Sequence, residues 1–385
     1  MSKRIQSVHC HILIAAMRVA ILNLIMTTPV EGAIVPRASN QDTVIYNMAR
    51  GFVSGGHRVT LLTSEEYRPT ETEDLEFDVI YFPSALKKIF KPTLLPYPLG
   101  LRNYLKKHSS DFDMLISVEA FSIASLIAAR VAPKKLLIWQ EMAKFQRLFF
   151  KIPAKIWYGI VVRTFLSDIP VVGMSQSAQS FAGQFMRNVS DRVVSHGVDE
   201  SVFYPSEKHS GYFIVVSSLV RLKRVDCIIQ KYAQFVSSCG FYNVGLKIVG
   251  DGPEKDNLKK LAQESGCSDR IEFMGKRGHA VLSKIMREAV GLLVYTEKDL
   301  NMVSITEALV SGCPVLMNKV PLIRDRVEKY DLGIVKDDWG CEEMKMMIEK
   351  YDELHGNCIK ERWRFTSKNV ADTLCDIFLN QKSAL

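Results

Sequence analysis

Thr296-Glu-Lys-Asp-Leu-Asn-Met-Val-Ser-Ile-Thr-Glu-Ala-Leu-Val-Ser-Gly-Cys-Pro-Val315 reads as a strand end, a loop, a helix and the start of the next strand. An apolar run over 291–297 enters a loop carrying Asp299. A helix is expected to begin near Asn301, whose side chain suits an N-cap, and to stop at Gly312 ahead of Pro314. The first amides, those of Met302, Val303 and Ser304, then face outward at the positive end of the helix dipole, which accepts phosphate. Glu307 lies about one and a half turns further in, within reach of a ribose hydroxyl of a nucleotide whose phosphate sits at the helix start. Spacing alone leaves a plainer reading open, a βαβ crossover with a solvent-facing glutamate.

Working outward, short Val/Ile/Leu-rich runs alternate with helical patterns along the chain, the signature of parallel sheets covered on both faces. Strands are expected over 18–26, 58–63, 78–83, 114–119, 135–140, 169–175 and 192–195, and again over 212–218, 246–252, 271–275, 291–297, 313–318 and 333–336. Val44, Ile45, Met48, Ala49 and Phe52 show a helical period that stops at Gly55-Gly56. The polar stretch Tyr204-Pro-Ser-Glu-Lys-His-Ser-Gly211 is the linker candidate. The expected organisation is therefore α/β: two doubly wound domains, 17–204 and 212–365, a linker at 205–211, and a helix in 366–385 packing back on the first domain. Residues 1–16 read as an extension ahead of Met17. Their apolar stretch is interrupted by His9, His11 and Arg18, unlike a signal peptide. Ligands of such sheets bind at the carboxyl ends of the strands, so the chemistry is expected in strand-to-helix loops.

At 385 residues the chain is long enough for two cores, and a mean hydropathy of +0.03 excludes a polytopic membrane protein. Eight cysteines without a CxxC pair argue against a zinc site or disulfide framework and read as small buried thiols in a reducing cytoplasm. Between Leu86 and Arg163 stand fourteen Lys or Arg against four acids, an excess larger than the whole chain's +8. The cations interleave with large apolar groups around Lys144, Arg147, Phe149, Phe150, Lys151, Lys155 and Trp157. That mixture suits an anionic membrane surface, though an ordinary solvated basic face remains open. No reader motif supports nucleic acid.

The quoted stretch resembles the acid-x7-Glu motif of retaining glycosyltransferases of the GT-B fold, particularly glycosyltransferase family four. Val249-Gly-Asp-Gly-Pro-Glu254 resembles the family's strand-ending glycine turn. Ile271-Glu-Phe-Met-Gly275 resembles its strand near the base pocket, Ser195-His-Gly-Val-Asp-Glu-Ser-Val-Phe203 its inter-domain segment, and Val215-Val-Ser-Ser-Leu-Val-Arg-Leu-Lys-Arg-Val-Asp226 its loop bearing the catalytic cations. The similarity covers 17–385 and is dense after 195. It implies two Rossmann-like domains facing across a cleft, with retention of anomeric configuration.

By that resemblance Lys223 neutralises the leaving diphosphate, and Asp299 and Glu307 are the acid pair, on donor-sugar hydroxyls and ribose respectively. Asp299 stands where the family usually has Glu. Ser218 occupies the family arginine's position, with Arg221 able to supply the guanidinium instead. Gly250, Asp251, Gly252 and Met274 border the donor, as does Gly32, the one glycine of the first loop. Trp139-Gln140-Glu141 stands where many relatives carry a cleft histidine; Glu141 reads either as a base on the acceptor hydroxyl or as a helix cap. His196 matches a boundary-loop residue, an unpromising substitute. Asp111-Phe112-Asp113 has metal-binding spacing but sits at the wrong end of its strand, so neither metal nor cofactor is expected. The implied substrates are a nucleoside-diphosphate sugar and a glycan or lipid-linked acceptor, handled in the cytoplasm at the inner face of the cell membrane. A sugar-nucleotide epimerase and a catalytically degenerate membrane-bound subunit remain open as other readings.

Overall fold

Buried strands need neighbours on both edges and helices on both faces, and the chain satisfies this twice. The computed structural model describes residues 15–27, 33–145, 148–207, 209–238, 243–298 and 302–383. In the first domain, β1 (Arg18–Leu22) pairs in parallel with β2 (Arg58–Ser64) and with β4 (Met114–Val118). Adding β3 (Asp78–Phe82), β5 (Leu136–Gln140) and β6 (Val171–Gly173) gives the order β3-β2-β1-β4-β5-β6. The second domain repeats it with β7 (Tyr212–Val216), β8 (Gly245–Val249), β9 (Ile271–Gly275), β10 (Gly291–Val294), β11 (Val315–Met317) and β12 (Gly333–Val335), ordered β9-β8-β7-β10-β11-β12. In each sheet the order reverses beside its first strand, opening a crevice at the carboxyl edge.

Some expected strands are shorter than their apolar runs. β1 ends at Leu22, although Asn23 still donates to the Leu62 carbonyl at 3.0 Å, and β10 ends at Val294 and meets β7 only at Gly291 and Leu292. The stretch 192–195 is not a strand. Instead Val194 donates its N–H to the Gly173 carbonyl at 3.0 Å and accepts the Trp139 indole N–H at 2.8 Å. Cys227, Cys267, Cys313, Cys358 and Cys375 are free thiols, but Cys341 is disulfide-bonded, which corrects the reading of every cysteine as reduced. Cys341 opens α11 (Cys341–Glu349), which packs along α6 (Val225–Ser238), a proximity that spacing in sequence cannot reveal.

The amphipathic helix α1 (Val44–Ser54) buries Ile45, Met48, Ala49 and Phe52 and ends at Gly55, as its period indicates. Its partner is α13 (Ser367–Ser383), which inserts Val370, Ala371, Leu374, Cys375, Ile377 and Phe378 into the first domain's core. The chain thus leaves the first domain near Gly197 and returns near Ser367. The two crossings are tied together: Val198 donates to the Phe365 carbonyl at 3.0 Å, and Ser367 donates to the Val198 carbonyl at 2.8 Å. A Cβ on Gly51 would lie 2.2 Å from the Ser367 carbonyl oxygen, and one on Gly197 would lie 2.6 Å from Ser367 Cα. Gly51→Ala should therefore lower stability by about 1–3 kcal/mol. Gly159→Ala, where nothing stands within 4 Å, should be near neutral, and urea unfolding of the two variants reads the difference.

Candidate active site

Loops at the carboxyl edge of the second sheet are stitched to one another by backbone. Leu219 donates to the Asp251 carbonyl at 2.9 Å, and Glu254 donates to the Leu219 carbonyl at 3.0 Å. This approach demands glycine: at Gly250, with φ +146°, a Cβ would lie 1.8 Å from the Ser217 carbonyl oxygen, and at Gly252 2.4 Å from that of Leu219. The end of β10 is held to the same loops by the Thr296 hydroxyl, which donates to the Leu222 carbonyl at 3.1 Å, and by Asn318, which donates to the Thr296 carbonyl at 2.8 Å.

Between these loops lies a cavity of about 480 Å³ lined by Ser217, Ser218, Lys223, Gly250, Asp251, Lys276, Arg277, Met302, Val303 and Ser304. Lys223 ends a short 3-10 turn, and its burial lowers the ammonium pKa, so an anion alongside would be favourable. The helix α9 (Val303–Val310) starts here, two residues after the expected Asn301, with Met302 at its N-cap and no side-chain cap. Asp251 is a turn-closing carboxylate, accepting from the Gly252 N–H at 2.9 Å and from Lys255 at 3.0 Å.

Arg221 does not join this cavity. It lines a separate one of about 510 Å³ with Arg224, Asp226, Glu254 and Glu297. The arginine that lines the same cavity as Lys223 is instead Arg277, with Lys276 next to it in sequence. Both follow Gly275 in a strand-to-helix loop, the signal that could have revealed them. Met274 packs at the edge of the domain core. Glu307 is buried on α9, with Oε1 3.6 Å from His279 Nε2. Burial, helped by Asp42, pushes its carboxyl up to about 7. Gly32, Asp299 and Asn301 lie outside the described residues.

The carboxyl edge of the first sheet holds a cavity of about 560 Å³ lined by Asn23–Thr27, Val44, Ile45, Thr93–Pro96, Glu119, Trp139, Glu141, Met142 and His196, among others. Glu119, unremarked in the sequence, organises its floor. It follows β4 in a left-handed conformation, φ 72°, rare for a residue with a side chain. Its Oε1 accepts the N–H groups of Glu141 at 2.7 Å and Met142 at 2.6 Å, and its Oε2 accepts from Gln140 Nε2 at 2.9 Å. Burial, and then the Glu141 charge, push Glu119 up to about 8. Glu141 Oε1 stands 3.8 Å from His196 Nε2, which lowers the Glu141 pKa, and buried His196 Nδ1 has no hydrogen-bond partner. His196 and Glu141 thus meet in the cavity at the carboxyl edge of the first sheet.

His196 also lines a third cavity, of about 320 Å³ between the domains, which shares Met302 and Val303 with the cation-lined one. The three are joined through common walls. Among the described residues no group of three or more His, Cys, Asp or Glu could hold a metal ion. Asp113 accepts from the Arg18 backbone N–H and guanidinium, both at 2.9 Å, closing a turn at the far end of the sheet.

Two such sheets facing across a cleft define the GT-B fold. It is shared with Anabaena HepE bound to UDP and glucose (TM-score 0.59, 14% identity, 96% of this chain and 100% of that one). Sucrose-phosphate synthase from Thermosynechococcus elongatus (0.63, 15%, 96% and 100%) and the lipopolysaccharide outer core galactosyltransferase WaaB (0.61, 15%, 95% and 100%) share it too. Residues 200–357 match the family described as glycosyl transferases group 1. A curated relative, N-acetyl-alpha-D-glucosaminyl L-malate synthase of Bacillus anthracis, is 27% identical over 176 residues, 45% of this chain and 43% of that protein. The chain thus aligns with less than half of that relative's length.

Because the folded Glu119 keeps its proton up to about pH 8 while the unfolded one loses it near 4.5, the folded state binds the extra proton between those values. Stability should therefore fall as pH rises from about 4.5 to 8. In Glu119→Gln that part of the slope should flatten, whatever the variant's absolute stability, as read by thermal unfolding across the pH range.

Proposed function

We propose that the protein transfers a glycosyl group from a nucleoside-diphosphate sugar to an acceptor hydroxyl, with retention of configuration and without a bound metal or cofactor. The observation that carries this reading is the convergence of Lys223, Lys276 and Arg277 with the start of α9 on one cavity, joined by shared walls to the Glu141–His196 pair opposite. A diphosphate fits the cationic side, where helix amides and ammonium groups replace a divalent ion. As the bond from the anomeric carbon to the phosphate oxygen breaks, charge grows on that oxygen, and the same cations stabilise it. The acceptor oxygen bonds the anomeric carbon on the face the phosphate leaves, and its proton passes to the departing phosphate. Glu307 is assigned to ribose, Asp299 to the donor sugar, and Glu141 to the acceptor hydroxyl. UDP-sugars are the first donors to test, since the HepE structures hold UDP or UDP-glucose.

The acceptor is proposed to be a lipid-linked or growing surface glycan, met at an anionic membrane. In support, Ile152, Ile156 and Ile160 form an exposed stripe along α4 (Leu148–Ile156) and the π-helix that follows, beside exposed Lys155 and Arg163. The 86–99 loop exposes Leu86 and Ile89 next to Lys87 and Lys88. Both segments border the first-domain cavity through Ala154 and through Thr93–Pro96. No described helix is long and apolar enough to cross a membrane.

Lys223→Ala and Arg277→Ala should each lower kcat about 10²–10³-fold, with the double variant less than multiplicative because both act on one developing charge. Unchanged kcat in both would sink the assignment. Lys155→Glu with Ile156→Glu should release the protein from anionic vesicles at low salt, each lost cation weakening binding by about 1 kcal/mol, while donor hydrolysis stays near wild type.

A further inference from the structure

We infer that the part of the acceptor entering the first-domain cavity is an uncharged, hydroxyl-bearing group with an apolar portion, and that carboxylates and other anions are excluded from it. This rests on the glycosyltransferase reading above, and it names the acceptor class that the cavity can take.

The walls are largely apolar, including Leu24, Ile25, Leu94, Leu95, Phe121 and Met142. The ionisable lining groups are Glu119, Glu141 and His196; no Lys or Arg lines the cavity among the described residues. Lys87 and Lys155, two described cations nearby, lie outside it. Lys87 pairs with Glu66 at 2.8 Å outside the cavity, and Lys155 is exposed on α4 although Ala154 beside it lines the wall. An anion entering here would lose hydration with no Lys or Arg among the described lining residues to replace it. It would also meet Glu141, which His196 keeps ionised. A hydroxyl meets the opposite situation: it donates to the Glu141 carboxylate while an apolar body covers the walls. Glu119 fixes that geometry by holding the backbone N–H groups of Glu141 and Met142, so Glu119 is a positioning residue for the acceptor-facing carboxylate. A volume of about 560 Å³ falls in the range of sites that enclose a ligand of two-ring size, about 300–1,000 Å³. Any phosphate of a lipid-linked acceptor must then remain outside the cavity.

The test is calorimetric titration of the full chain with two probes, n-octyl glucoside below its micelle-forming concentration and L-malate. Octyl glucoside should bind saturably and at least tenfold tighter than malate. Glu141→Lys should narrow or reverse that ratio by strengthening malate and weakening the glucoside, while Glu141→Gln should strengthen malate and leave the glucoside within about threefold. Unfolding midpoints matching wild type establish that both variants are folded. Malate binding the wild type as tightly as the glucoside, no saturable glucoside binding, or a ratio indifferent to Glu141→Lys would each overturn the inference. UDP binding, titrated in the same samples, reads the other domain. Its absence would sink the glycosyltransferase reading separately, and its presence with malate preferred would sink only the acceptor class.

Discussion

The arrangement depends on two chain crossings held side by side. Val198 and the backbone of Phe365 and Ser367 exchange hydrogen bonds, so the outgoing and returning strands of the polypeptide form one pinned hinge. Gly197 and Gly51 lack side chains where Ser367 approaches, which lets the hinge sit against the first domain. From that point α13 runs back along α1 and completes a core to which the rest of the first domain contributes one face. The carboxyl edges of the two sheets are left facing each other, and each chemical feature of the molecule lies on those edges. Moving the hinge would move both half-sites at once.

The two half-sites differ in charge in a way that suits different cargo. On the second domain, Lys223, Lys276 and Arg277 surround a cavity beside a helix start. On the first, an apolar cavity carries Glu119 and Glu141 with His196 between them and the inter-domain space. Burial in a low-dielectric setting amplifies both characters: it lowers the pKa of Lys223 and raises those of Glu119 and Glu307. Each group is thereby made dependent on what lies next to it, as a binding site requires. Glu119 shows the cost of this arrangement. It adopts a left-handed backbone and buries a carboxyl so that two consecutive N–H groups are held in place.

Much was legible in sequence because it was local. Apolar runs of strand length and the helical period of α1 with its glycine stop each act through neighbours a few residues away. The parallel, doubly wound class of each sheet followed from the alternation of strands with helices. The quoted stretch 296–315 likewise revealed its helix, although that helix starts at Val303 rather than at Asn301 and Glu307 on it is buried rather than solvent-facing.

What stayed hidden was long-range. Arg221 and Arg277 both sit in basic stretches, and only the packing of the β7 and β9 loops decides which of them lines the cavity with Lys223. The bond between Trp139 and Val194 spans 55 residues, and His196, two residues on, stands 3.8 Å from Glu141. Glu119 carries no pattern that marks it; its role exists only once the loop after β5 folds over it. By itself, then, the sequence determined the two doubly wound sheets and the loops where chemistry belongs, since periodicity and turn residues act over a few residues. Which side chains meet in those loops was decided by the tertiary structure, because desolvation and hydrogen-bond pairing depend on distances in space that no spacing along the chain encodes.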